Sequence, residues 1–210
     1  MFLSLLKKNL LIRNKYKNTY QSFSRLVFPS LLPVICVLTI NSAYAGNNLY
    51  DIEISKSDQQ LLVKDGGRTV KQYRVAFGKG GKGTKRKLGD KKTPVGVYKI
   101  IDFKSDSKFH LFMQLDYPNL LDAWYGYKNE IITASEFKNI ATAFKTKQKP
   151  PQNTPLGGYI GIHGLGEITE EKLLIHEGFN WTEGCIALTN EQINDLRQYV
   201  SIGTKVVIKE

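Results

Sequence analysis

Between residues 46 and 130 the dominant pattern is one of short apolar runs and two-residue alternation. Leu49–Ile54 (LYDIEI) alternates, Gln60–Lys64 is short and apolar, and Arg68–Phe77 (RTVKQYRVAF) mixes β-branched with aromatic residues. Side chains that alternate between two faces mark half-buried strands. Asp65-Gly66-Gly67 is a hairpin signal between the second and third runs. Val95–Ile101 (VGVYKII) and His110–Asp116 (HLFMQLD) continue the strand pattern. The period then changes: across Thr133–Lys147, Phe137, Ile140, Ala141 and Phe144 recur at helical spacing, and Lys149-Pro150-Pro151 ends the run. Tyr159–Ile162 predicts a short strand running into His163, and Ile186-Ala187-Leu188 is apolar. Thr189-x-x-Gln192 has capping-box form ahead of a helix over Glu191–Tyr199, and Lys205–Ile208 closes the chain as a strand. With no internal repeat, the pattern predicts a mainly β single domain with one or two helices.

The first 45 residues follow different rules. Leu26–Ile40 (LVFPSLLPVICVLTI) is uncharged and apolar, but shorter than the ~20 residues a membrane-crossing helix requires. Pro29 and Pro33 disfavour a buried core helix. Bases precede this stretch and Ser42-Ala43-Tyr44-Ala45 follows it, which is the order of an export signal. Cleavage is expected after Ala45, delivering residues 46–210 to the periplasm or cell envelope; a retained segment 26–40 would instead be a membrane tether. The chain of 210 residues carries a formal charge of +11, six units of which lie in residues 1–45. The remainder, 24 bases against 19 acids, lacks the basic excess of a dedicated nucleic-acid binder. Two cysteines exclude a disulfide scaffold. After cleavage Cys36 departs, and Cys185 becomes the sole thiol, either an inert buried hydrophobe or a reactive group. A monomer is expected.

Gly78-Lys79-Gly80-Gly81-Lys82-Gly83 formally matches G-x-G-x-x-G, but no helix pattern follows to hold a pyrophosphate. It predicts a flexible basic loop, with seven Lys/Arg between Lys79 and Lys92 that are either simply solvated or drawn to an anionic polymer. His163, His176 and Cys185, with His110 in reserve, match no common zinc spacing, so neither metal nor other cofactor is expected. The remaining pair is His163-Gly164 with Thr182-Glu183-Gly184-Cys185. A thiol requires a base or a positive charge to become a nucleophile near neutral pH, and an imidazole supplies both a base and a later acid. The amides of Gly184 and Cys185 are candidate oxyanion donors. Such pairs also arise by chance, with the thiol inert in a strand and the histidine satisfying a core hydrogen bond.

Four segments in order resemble the L,D-transpeptidase (YkuD-type) catalytic domain family. They are Gly89-Asp90-Lys91-Lys92-Thr93-Pro94-Val95-Gly96-Val97-Tyr98, Tyr117-Pro118-Asn119 with Asp122 nearby, Thr154–Gly164 (TPLGGYIGIHG), and Trp181–Asn190 (WTEGCIALTN). The resemblance implies a β-sandwich or barrel in which Cys185 is the nucleophile and His163 its base and later acid. It also implies that the Gly164 carbonyl orients the imidazole, that the Gly184 amide binds the oxyanion, and that Thr182 occupies the family's Ser/Thr position. Candidate substrate contacts are Tyr117, Trp181, Gly161 and His176. His176 also reads as a rival base, against the plainer reading of a solvent-exposed loop histidine. Two positions depart from the common pattern: Glu183 replaces a frequent histidine, and Ala187 a frequent arginine. A carboxylate at 183 is expected to raise the thiol pKa, and the missing arginine to remove a carboxylate clamp. The implied partner is a peptidoglycan stem peptide and the implied reaction acyl transfer through a Cys185 thioester. The competing readings are a hydrolase that uses water or detaches wall-bound lipoprotein, a non-catalytic wall-binding module, and a metal-dependent peptidase.

Overall fold

A computed structural model describes residues 50–210; the predicted export segment and the boundary at residue 45 lie outside them. Eight strands form one mixed sheet: β1 (Tyr50–Ser55), β2 (Gln60–Asp65), β3 (Arg68–Arg74), β4 (Gly96–Ser107), β5 (His110–Leu115), β6 (Gly161–His163), β7 (Ile186–Ala187) and β8 (Lys205–Lys209). Their order is β3-β2-β1-β8-β4-β5-β6-β7. The β1–β8 and β6–β7 pairs are parallel and the others antiparallel.

The inward-facing residues follow the two-residue period. Ile52 and Ile54, Leu61 and Val63, Tyr98 and Ile100, and Val206 and Ile208 are all buried in one core. β4 runs well beyond the predicted Ile101. Its first half pairs with β8 and its second with β5, with register breaks between Ile100 and Asp102 and between Lys104 and Ser107. Bulges of this kind bend a strand and increase its twist, and here they allow one strand to serve both halves of the sheet. Beyond β3, Ala76 forms an isolated bridge to Ala187 of β7, with mutual backbone bonds of 3.1 and 2.8 Å. The last strand thereby meets the continuation of the first edge strand, giving a barrel-like closure.

Among the described residues, four helices accompany the sheet rather than one or two: α1 (Leu120–Lys128), α2 (Ala134–Lys145), α3 (Glu170–Gly178) and α4 (Asn190–Leu196). The α2 and α4 predictions stand, each opened by a capping box, Thr133 with Glu136 and Thr189 with Gln192. α1 starts from a less common box of Asn119 and Asp122, and it packs with α2 in a satellite core of Ala123, Ile132, Ile140 and Leu156. α3 occupies the stretch in which His176 reads as a loop histidine, and buries only that residue. Among the described residues, no helix is long and apolar enough to cross a membrane.

Candidate active site

The site forms where β6 and β7 run side by side. Their parallel register pairs Ile162 with Ile186 and His163 with Ala187. Cys185 precedes β7 by one residue, so the two-residue period puts it on the same face as His163, one diagonal step away. On the other flank, the bridges Ala76–Ala187 and Gly78–Thr182 hold the chain after β3 against the cysteine segment. The candidate nucleophile therefore sits between two backbones, an arrangement that requires the sheet's closure.

His163 is about 1% exposed. Its Nδ1–H donates to the Gly164 carbonyl at 2.7 Å. A carbonyl only accepts, so this bond fixes the tautomer and leaves the Nε2 lone pair free. Phe109 covers the ring at 4.2 Å between centroids, and Trp181 meets it edge-on at 6.0 Å. Burial, reinforced by repulsion from His176, Lys172 and Lys108, pushes the imidazole pKa down to about 4. Asn190 anchors the chain just after the histidine: its Oδ1 accepts from the amides of Leu165 and Gly166, and its Nδ2 donates to the Gly166 carbonyl. A Cβ on Gly164 would lie 2.7 Å from the Asn190 Oδ1 and 2.9 Å from the Phe109 carbonyl, so only glycine fits.

Thr182 shapes the turn that presents the cysteine. Its hydroxyl donates to the Cys185 carbonyl at 2.7 Å and accepts from the Gly184 amide at 3.1 Å. The second bond corrects one expectation: the Gly184 N–H is engaged, leaving the Cys185 amide as the candidate oxyanion donor. Gly184 adopts φ +136, and a Cβ there would lie 2.9 Å from the Lys92 carbonyl. Cys185 is a free thiol, partly exposed. Its Sγ donates to the Tyr159 carbonyl at 3.5 Å, the bond of a neutral S–H. Burial pushes the thiol up to about 11, against smaller opposing effects of the Gly161 amide and Lys85. The sulfur is thus partly exposed to solvent and otherwise desolvated by its surroundings. Thiol and imidazole are both held neutral.

Several expectations change. Glu183 does not set the thiol pKa. Its carboxylate turns outward to Lys79 at 2.6 Å and Lys91 at 3.9 Å, and the Lys79 hydrogen bond holds its own pKa below the usual range. Tyr117 has no exposed surface, and its hydroxyl donates to the Leu156 carbonyl. It therefore supports the loop before β6 and has no surface to offer a substrate. Gly161 is buried, its amide acting on the sulfur. His176 is buried on α3, not solvent-exposed, and its Nδ1 accepts from Trp181 Nε1 at 3.4 Å. Ala187 is fully buried. Phe109, Asn190 and Tyr159 had no assigned part in the sequence reading. Asn190 and Tyr159 carried a signal, as members of the nucleophile box and of the segment leading to His163, whereas Phe109 carried none. Among the described residues, no group of three or more His, Cys, Asp or Glu could hold a metal ion. A cavity of about 380 Å³ between β4 and α2, lined by Ile100, Pro118, Ile140, Phe144 and Ile202, includes none of these residues.

The chain is similar to YafK of Escherichia coli (strain K12), with 26% identity over 162 residues, 74% of this chain and 48% of that protein. Its fold is similar to that of the helical cell shape determining protein Pgp2 from Campylobacter jejuni, at 24% identity and a TM-score of 0.50, covering 77% of this chain and 48% of that one. The chain spans about half the length of these relatives. The model of the L,D-transpeptidase catalytic domain (YkuD) matches residues 49–208, nearly the whole described domain, and the chain belongs to that family.

Proposed function

We propose that the protein is a peptidoglycan L,D-transpeptidase that carries its acyl group on Cys185. Support comes above all from the register of the parallel strands β6 and β7, which puts His163 and Cys185, one residue ahead of β7, on the same face, with Nδ1–H committed to Gly164 so that Nε2 is the base. When a tetrapeptide stem binds at the exposed side of Cys185, its scissile carbonyl, between diaminopimelate and D-alanine, displaces the thiol from the Tyr159 carbonyl. Nε2 takes the thiol proton as Sγ bonds to the carbonyl carbon, and the Cys185 amide receives the oxyanion. The C–N bond breaks, the imidazolium gives its proton to the departing amine, and a thioester remains. An amine acceptor then attacks the thioester, passing a proton to Nε2. Collapse releases the thiolate, which the imidazolium reprotonates.

Burial of both groups fits this sequence. A neutral imidazole is a competent base, and a desolvated thiol stays protonated until a substrate is present. The proposal places the working protein outside the cytoplasm after cleavage at Ala45, as a monomer without metal or other cofactor. The test is a labelled tetrapeptide stem incubated with the protein, with and without an amine acceptor. Label moving to the amine, with D-alanine released and both lost in Cys185→Ala, is expected. Release of free acid alone, whatever the acceptor, would make the enzyme a hydrolase, and activity that survives Cys185→Ala would refute the proposal.

A further inference from the structure

The Gly78–Gly83 stretch, expected to be a flexible basic loop, is tied down along its length. Lys79 N–H donates to the Thr182 carbonyl at 2.9 Å, Gly80 N–H to the Lys91 carbonyl at 2.8 Å, and Gly83 N–H to Glu210 at 3.0 Å. A Cβ on Gly78 would lie 2.2 Å from the Lys91 carbonyl and 3.0 Å from the Gly184 Cα. Gly78 and Gly80 are there because three backbones meet without room for side chains: residues 78–80, 91–92 and 182–184. The returning arm is fixed by Asp90, which accepts from the amides of Arg86, Lys87 and Lys92 and pairs with the buried Lys85.

This packing sets Lys79 and Lys91 on either side of Glu183, two residues before the nucleophile. Lys79 Nζ is 2.6 Å from one carboxylate oxygen and Lys91 Nζ 3.9 Å from the other. All three side chains are about half exposed or more. Two cations share one internal carboxylate, leaving one positive charge in excess two residues before the nucleophile. Exposed ion pairs of this kind are weak and exchange readily. Glu183 itself demonstrates that the place accepts a carboxylate.

We propose that Lys79 and Lys91 form the subsite for the free C-terminal carboxylate of the donor peptide, with Glu183 as the internal carboxylate that the substrate displaces. This rests on the acyl-transfer reading above. In a donor whose last residue is the leaving group, the terminal carboxylate lies one residue, within about 4 Å, of the carbon attacked by Sγ. The Glu183 Cα lies two residues from the Cys185 Cα, at most about 7 Å along the chain. The subsite supplies the cationic clamp that position 187, occupied by alanine, cannot. It also gives the basic loop a role specific to the end of the peptide.

The test compares two tetrapeptide stems, one ending in a free acid and one in a carboxamide, in the full protein. The natural sequence prefers the acid in kcat/KM by about tenfold or more, the scale of a charge-assisted contact. In Lys79→Met/Lys91→Met the ratio falls to near one, with the change carried in KM for the acid. Lys79→Arg/Lys91→Arg retains the preference, and Glu183→Gln, which frees the lysines, lowers KM for the acid severalfold. Circular dichroism monitors folding, and Glu183→Gln decides the matter if the double methionine variant does not fold. An acid-to-amide ratio unchanged in the double variant, or a KM unchanged or raised in Glu183→Gln, overturns the subsite while acyl transfer stands. Failure of the natural protein to react with either peptide overturns the acyl-transfer reading and the subsite with it.

Discussion

The resting thiol provides a sharp quantitative test, because the geometry makes Cys185 less reactive than a free cysteine toward a small neutral reagent. Burial raises its pKa from an ordinary 9.0 to about 11. A shift of about two units leaves roughly 100-fold less thiolate at any pH below 9, while the more basic sulfur recovers about tenfold in intrinsic nucleophilicity. Iodoacetamide should therefore alkylate Cys185 about tenfold more slowly than a free thiol of ordinary pKa. The rate should climb tenfold per pH unit, without a plateau, up to about pH 10. Intact-mass spectrometry of quenched samples gives the rate at each pH. A plateau below pH 8, or a rate above that of the free thiol, would reveal a preformed thiolate–imidazolium pair. That result would refute the account of two neutral groups awaiting substrate.

Three further outcomes follow from named contacts. His163, depressed from 6.5 to about 4, binds fewer protons folded than unfolded between these values, so its share of stability is present above pH 6.5 and lost as pH falls toward 4. That loss amounts to about 3 kcal/mol, and urea unfolding of His163→Gln should lack this component of acid sensitivity. Thr182→Val removes the bonds to the Cys185 carbonyl and Gly184 amide. It should cost about 2 kcal/mol and slow acylation, whereas Thr182→Ser restores both, and the same acyl or alkyl adduct assays with a melting curve would check it. Lys85→Met leaves Asp90 without its buried partner. It should destabilise the fold by about 3 kcal/mol in urea unfolding, the scale for breaking a buried pair.

The strands were legible because their buried faces obey a two-residue period that needs no tertiary information, as in Ile52 with Ile54 and Leu61 with Val63. The unforeseen helices lack the corresponding helical stripe. α1 exposes Leu121, Trp124 and Tyr127 while burying Ala123 and Gly126, and α3 exposes Leu174 while burying only His176. At the site, the identities of Cys185 and His163 could be read from motifs, but their relation depends on the β6–β7 register and on closure through Ala76. The electrostatic role expected for Glu183 failed for the same reason. Its partners, Lys79 and Lys91, are about ninety or more positions away in the chain and reach it only because three backbones, two of them bearing glycine at the contact, pack together. Tyr117 illustrates a further limit: sequence could place it near the site but not decide that it faces inward to Leu156.

The central claim is that one sulfur, Cys185, carries the acyl group and that His163 moves the proton. The most direct measurement is the intact mass of the protein mixed rapidly with a tetrapeptide stem and quenched in acid. The account predicts an increment equal to the peptide less its terminal D-alanine, mapped by fragmentation to Cys185, cleaved by hydroxylamine, and absent in both Cys185→Ala and His163→Ala. Turnover of the peptide with no such adduct, or an adduct formed as fast in His163→Ala as in the natural protein, would contradict it.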